Sequence, residues 1–297
     1  MKDVIYVENH YFVTVKENSI KFRNVIDKSE KFYLFEEIEA IIFDHYKSYF
    51  SHKLVIKCIE NDIAIIFCDK KHSPLTQLIS SYGMTHRLQR IQSQFQLSGR
   101  TRDRIWKKIV VNKIINQSKC LENNLHNENV KLLVNLAKDV SSGDKSNKEA
   151  QAARIYFKDL YGKQFKRGRY NDIINSGLNY GYSILRSFIK KELALHGFEM
   201  SLGIKHHSKE NPFNLADDII EVFRPFIDDI VFKNNINIFD INEKKLLLNV
   251  LYEKCIIDKK VVRLLDSIKI VVQSLIKCYD ENTPTPLSLP KMIEVGN

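Results

Sequence analysis

The sequence has no Cys-x-x-Cys pair, no histidine at zinc-finger spacing and no apolar stretch long enough to span a bilayer. Each absence removes a class of protein. The five cysteines, Cys58, Cys68, Cys120, Cys255 and Cys278, are odd in number and far apart, so they read as reduced, mostly buried thiols and not as a disulfide framework or a zinc site. Asp3 and Glu8 interrupt the segment where a signal peptide needs an unbroken apolar run. Arg263, Asp266 and Lys269 break the apolar stretch from Val261 to Ile276. A cytoplasmic protein with no membrane attachment is expected. There is no phosphate loop, no Gly-x-Gly-x-x-Gly and no Gly-x-Ser-x-Gly elbow, which removes the commonest nucleotide-binding and serine-hydrolase readings. Nor is there an internal repeat or a low-complexity block.

Positive charge is what the chain does have. Against 36 acidic residues stand 46 Lys and Arg, a net charge of +10 over 297 residues. Such a surplus favours polyanionic partners, nucleic acid or anionic lipid. The length suits one or two domains.

Val4–Val7, Tyr11–Val15, Ser19–Phe22, Phe32–Leu34 and Ala40–Phe43 are short β-branched and aromatic runs between turn formers, the mark of a small β domain over residues 1–74. Within it Ser51–Glu60 reads as a helix and Ile63–Phe67 as a buried strand. His72-Ser73-Pro74 breaks the pattern, and residues 75–98, which include Gly83, read as a connector. From Gly99 the apolar spacing becomes three to four, beginning with Ile105, Ile109, Val110 and Ile114, so residues 99–280 are expected to form an all-α domain. Pro284, Pro286 and Pro290 cannot continue a helix, and residues 281–297 read as a loose tail. The expected class is α+β.

Chemistry concentrates between Gly203 and Pro225. Asn211 and Pro212 resemble a helix start, and Pro225 a stop just after Arg224. Between them Asn214, Asp217, Asp218, Glu221 and Arg224 form a polar stripe, in which three carboxylates share one face. Such a stripe is either a solvated helix face or a seat for a divalent cation that relieves the repulsion. Hard oxygens suit magnesium or manganese, and an imidazole from His206 or His207 tilts the choice towards manganese. Glu149 has two readings as well. Ser146-x-x-Glu149 matches a capping box, whereas the small residues of Ala150-Gln-Ala-Ala allow a second helix to approach where Glu149 points. Arg87, Arg90, Arg100, Arg102, Arg104, Lys107, Lys108 and Lys113 form one basic group, and Lys163, Lys166, Arg167 and Arg169 another, beside Tyr161, Phe165 and Tyr170. They suit either phosphate contacts with base stacking or ordinary solvated faces.

Four ordered motifs carry a family likeness: Glu149-Ala-x-Ala-Ala-Arg154-x-Tyr156-Phe157, Asn175-x-x-Leu-Asn-Tyr-Gly-Tyr182, Gly203-Ile-x-His206, and Asn214-Leu-Ala-Asp-Asp-x-Ile-Glu221-x-Phe-Arg-Pro225. In this order they resemble the CRISPR-associated Cas-one proteins, most of all those from systems with a single Cas-nine-type effector. The resemblance implies a β domain followed by a helical catalytic domain, and a metal-dependent DNA endonuclease or integrase that inserts short DNA duplexes into a CRISPR repeat array. It further implies magnesium or manganese held by Glu149, His206 and Glu221, with Asp218 and His207 as substitutes. Its partners would be a second copy of the chain bound through the β domains, a Cas-two-type protein, the captured duplex with its single-stranded ends and the repeat DNA. A Cas-nine-type effector and an accessory acquisition protein extend that list. The competing reading is a basic nucleic-acid-binding protein without catalysis.

Overall fold

Alternating β-branched and aromatic residues at the amino terminus form strands because one side of each can be buried while the other faces out. The computed structural model describes residues 2–70, 72–78, 86–125, 129–168, 170, 172–236 and 238–294. It divides at Thr85/His86 into two units.

The first unit contains β1 (Asp3–Val7), β2 (Tyr11–Lys16), β3 (Ser19–Asn24), β4 (Glu30–Leu34), β5 (Ile38–Phe43), β6 (Tyr49–Phe50), α1 (His52–Glu60), β7 (Ala64–Cys68) and β8 (Pro74–Leu78). Two four-stranded sheets result, ordered β1-β5-β7-β8 and β4-β3-β2-β6. Strand β5 is buried along its whole length and lies between parallel neighbours β1 and β7, as expected of an apolar central strand. Ser51 caps α1 by accepting from the Leu54 amide at 3.3 Å, and Leu54 and Cys58 turn inward onto Val13, Ile20 and Ile41. The helix-then-strand reading of this stretch therefore holds.

The segment read as a connector, 75–98, is shared between the units. Strand β8 pairs with β7, and α2 (Arg87–Gln96) opens the second unit. Gly83 lies outside the described residues. The second unit continues with α3 (Gly99–Leu125), α4 (Asn129–Lys138), α5 (Lys148–Tyr161), α6 (Ile173–Leu195), α7 (Asn214–Ile219), α8 (Arg224–Lys233), α9 (Ile241–Leu248), β9 (Lys254–Ile257), β10 (Lys260–Arg263), α10 (Leu264–Asp280) and β11 (Lys291–Met292). The long α3 packs against α4, α5 and α8. With neighbours on several sides it buries Asn112, Lys113, Asn116 and Gln117 as well as its apolar residues.

The unit is helical, as expected, but it also holds a three-stranded sheet ordered β10-β9-β11. The tail is not loose over its described residues, 281–294. Lys108 Nζ donates to the carbonyls of Pro284, Thr285 and Leu287 at 2.7, 3.1 and 3.3 Å, and the Asn112 and Asn116 amides both reach Pro290 O at 3.0 Å. Prolines that stop a helix leave carbonyls for other donors, and α3 supplies those donors from far upstream. No helix among the described residues is long and apolar enough to cross a membrane.

Candidate metal centre

Of the two readings of Glu149, the capping box with Ser146 is not the one that forms. Asn147, with φ +52°, precedes α5 and makes no side-chain cap bond. Asp144 instead accepts from the Lys148 amide at 2.8 Å and the Glu149 amide at 3.1 Å. A carboxylate at a helix start satisfies the open amides and suits the helix dipole. The Glu149 side chain is thus released from capping, and Ala152, fully buried, lets α5 lie against α3.

Released, Glu149 Oε1 meets Lys113 Nζ at 2.6 Å. The same ammonium lies 2.6 Å from Glu221 Oε2, and Arg224 holds Glu221 Oε1 at 3.0 Å. Residues some seventy positions apart therefore converge on one buried cationic point. Burial pulls the Lys113 ammonium towards neutrality, but Glu221 and Glu149 outweigh it and hold its pKa above the ordinary lysine value. Burial likewise opposes ionisation of Glu221, yet Arg224 and Lys113 keep its carboxyl below the usual range.

Glu221 reaches this point from an interrupted helix. Pro225 was expected to stop the helix that carries the acidic stripe; it stands instead in the first turn of α8. Proline has no N–H to bond the Glu221 carbonyl, and the chain tightens into a 3-10 turn over Ile220–Val222 before restarting. Upstream, the helix begins at Asn214, and the Asn211 side chain accepts from the Phe213 amide.

Asp218 organises the neighbouring loop. Its carboxylate accepts from the amides of Ile204, Lys205 and His206 at 2.5, 3.1 and 3.1 Å. It also lies 2.8 Å from His206 Nδ1. Asp218 already accepts three amides and accepts here as well, so Nδ1 carries a proton, and in the neutral ring Nε2 keeps its lone pair. The hydrogen bond to Asp218 raises the His206 pKa above the ordinary histidine value, against the effect of burial. Trp106 sets its ring edge-on to the imidazole, with centroids 6.1 Å apart. Gly203 is required by space, since a Cβ there would lie 2.2 Å from His206 O. Asn214 Nδ2 ties the loop down at Ser201 O and Ser208 O, at 3.1 and 2.9 Å.

Residues 5–259 match the family model described as CRISPR associated protein Cas1. The chain belongs to that family. It is 37% identical over 194 residues to a CRISPR-associated endonuclease Cas1 of Neisseria meningitidis serogroup C, an alignment covering 65% of this chain and 63% of that protein. The chain thus spans less than two thirds of that relative's length. Its fold is like that of a casposase bound to integration product, with TM-score 0.77, 18% identity and 95% and 92% of the two chains covered. It is also like that of a Cas1 protein from Thermotoga maritima, with TM-score 0.71, 17% identity and 94% and 97% covered.

Of the five residues expected to supply Cas1 metal ligands, the structure brings Glu149 and Glu221 together around Lys113. His206 stands close enough to feel the Glu221 charge. Asp218 is turned to the loop amides and His206, and exposed His207 lines a different cavity, of about 600 Å³, with Arg102, Lys209 and Tyr279. Among the described residues no three His, Cys, Asp or Glu side chains stand grouped as a ready ligand set. The donors nonetheless suit a hard cation, because two carboxylates already close on a positive atom and His206 offers a neutral nitrogen.

The basic residues divide. Arg90 is buried and donates to Asp280 Oδ1 at 2.7 Å, half-buried Lys108 holds the tail and buried Lys113 holds the two glutamates, so these three cations are engaged within the protein. Arg87, Arg100, Arg104, Lys163 and Lys166 are exposed, and Arg102, Lys107 and Arg167 half-buried. Arg169 lies outside the described residues. Arg167, Arg186 and Arg224 line a cavity of about 460 Å³ that also reaches His206. The sequence pointed to neither Arg186 nor the inward role of Lys113. Arg224, three residues after Glu221 in the polar stripe, carried a usable signal.

Proposed function

We propose that this Cas1-family protein is a metal-dependent DNA endonuclease and integrase that inserts short DNA duplexes into a CRISPR repeat array by transesterification. The observation that carries the reading is the meeting of Glu149 and Glu221 at 2.6 Å from one cationic atom, beside a histidine whose Nδ1 is committed to Asp218. Magnesium or manganese bound by Glu149, Glu221 and His206 would supply neutralisation of charge developing at the attacked phosphodiester. Asp218 fixes the ring so that Nε2 is the nitrogen presented, as carboxylate partners of ligating histidines do. In its protonated form His206 would instead give a proton to the leaving 3′ oxygen. Arg167, Arg186 and Arg224 offer donors for phosphate oxygens in the cavity that His206 shares.

The acceptor is repeat DNA, and the attacking group is a 3′ hydroxyl of the captured duplex. The assembly we propose is a homodimer through the amino-terminal unit, joined by a Cas2-type protein, in the cytoplasm. Solved structures with this fold include a Cas6-RT-Cas1–Cas2 complex and a casposase bound to integration product, which supports the reading by analogy of fold. A Cas-nine-type effector and an accessory acquisition protein complete the proposed partners.

Glu221→Gln tests the chemistry. It keeps the side chain's volume and removes the charge. Integration of a labelled duplex into a supercoiled repeat-bearing plasmid, with the Cas2-type partner present, should fall by at least about a hundredfold while DNA binding is retained. Undiminished integration with DNA binding retained would show that Glu221 is not a metal ligand and would overturn this assignment of the metal centre.

A further inference from the structure

We infer that Lys113 is the resident counter-cation of the Glu149–Glu221 pair, and that a divalent ion takes its seat only by displacing the Lys113 ammonium. The inference rests on the metal-centre reading above.

Charge is the first reason. The two carboxylates are already balanced by Lys113 and Arg224. A dication added beside a fixed ammonium would put like charges within a few ångströms at a buried point, where their repulsion is least screened. Occupancy is the second. Of the four carboxylate oxygens, three are engaged, two by Lys113 and one by Arg224. A cation seated between the glutamates needs oxygens that Lys113 now holds.

Mobility decides which of the two native cations yields. Arg224 stacks over the Tyr182 ring, 4.8 Å from guanidinium carbon to centroid, and its planar fork is fixed by that stacking. Lys113 holds its ammonium at the end of a flexible four-carbon stem. It can withdraw while α3 stays in place. The device holds the two glutamates together before metal arrives, at the cost of weaker metal binding.

The test is Mn2+ binding to the full chain, read from the electron paramagnetic resonance signal of the free ion, with thermal unfolding in chelator alongside. Lys113→Gln should bind Mn2+ at least about tenfold more tightly than wild type and unfold at a lower temperature when metal-free. Lys113→Arg, which keeps the charge, should stay near wild-type affinity. Unchanged or weaker binding by Lys113→Gln, where binding still needs Glu221, would overturn the inference and leave the metal centre standing. Mn2+ binding that survives Glu221→Gln in the wild-type background would overturn both. Should Lys113→Gln not fold, the wild-type protein carries the test: an amine-acylating reagent should modify Lys113 faster in saturating Mn2+ than in chelator, and equal rates would reject displacement.

Discussion

Asp218 has no exposed surface, and its two oxygens receive three backbone amides and a histidine ring. A buried carboxylate is tolerated only with this degree of pairing. The consequence for His206 has a definite sign. Because its folded-state pKa is raised above the usual 6.5, the stability it contributes is fully present below that value and is lost as pH rises through the raised one. A nuclear magnetic resonance titration should place the His206 midpoint above 6.5 in the metal-free protein and return it towards the ordinary value in Asp218→Asn; equal midpoints would show that another group sets the shift. Gly203 belongs to the same arrangement. Gly203→Ala drives a Cβ into His206 O and against Asp218 Oδ2, and neither is the end of a flexible chain. Urea unfolding should register a loss of about 1–3 kcal/mol, with integration reduced because the imidazole is no longer aimed. A fully stable and active Gly203→Ala protein would mean the loop relaxes at no cost.

At the scale of elements, the start of α5 decides what Glu149 can do. An external cap from Asp144 replaces the local one that Ser146 and Glu149 could have made. Asp144→Ala should cost about 1 kcal/mol of stability and also slow integration, because the freed amides compete for the Glu149 carboxylate. Lost stability with full integration would show that Glu149 is held by Lys113 alone. Such long-range exchanges are where sequence reading stops. The helix over Ser51–Glu60 was legible, since its apolar spacing and the contact of Ser51 with the Leu54 amide are both local. So was the Gly203-x-x-His206 spacing, because the loop that requires it is local. The tail was misread because its partners, Lys108, Asn112 and Asn116, lie on α3, more than 170 residues upstream. Lys113 was misplaced for a related reason: α3 is buried on more than one side, so its run of cations gives no sign of which one faces inward.

Over the whole molecule, not every one of the 46 Lys and Arg side chains is free to meet a phosphate. Arg90, Lys108 and Lys113 are spent on Asp280, the tail carbonyls and the two glutamates, whereas Arg100 and Arg104 are exposed one helical turn apart on α3. Each cation that neutralises a duplex phosphate releases counterions, and contributes about −0.9 to the log–log slope of affinity against salt. Replacing Arg100 and Arg104 together by glutamine should therefore flatten the slope by up to about 2 units. Lys108→Gln should behave in the opposite way. Its ammonium is bonded to three carbonyls of the tail, and burial already lowers its pKa. The slope should then stay as in wild type while the unfolding temperature falls, since three carbonyls lose a charged donor. Salt titrations of duplex binding by fluorescence anisotropy, paired with thermal melts, separate the two classes. A slope unmoved by the arginine pair would place the phosphate track elsewhere on the second unit, with the exposed Lys163 and Lys166 the next pair to replace.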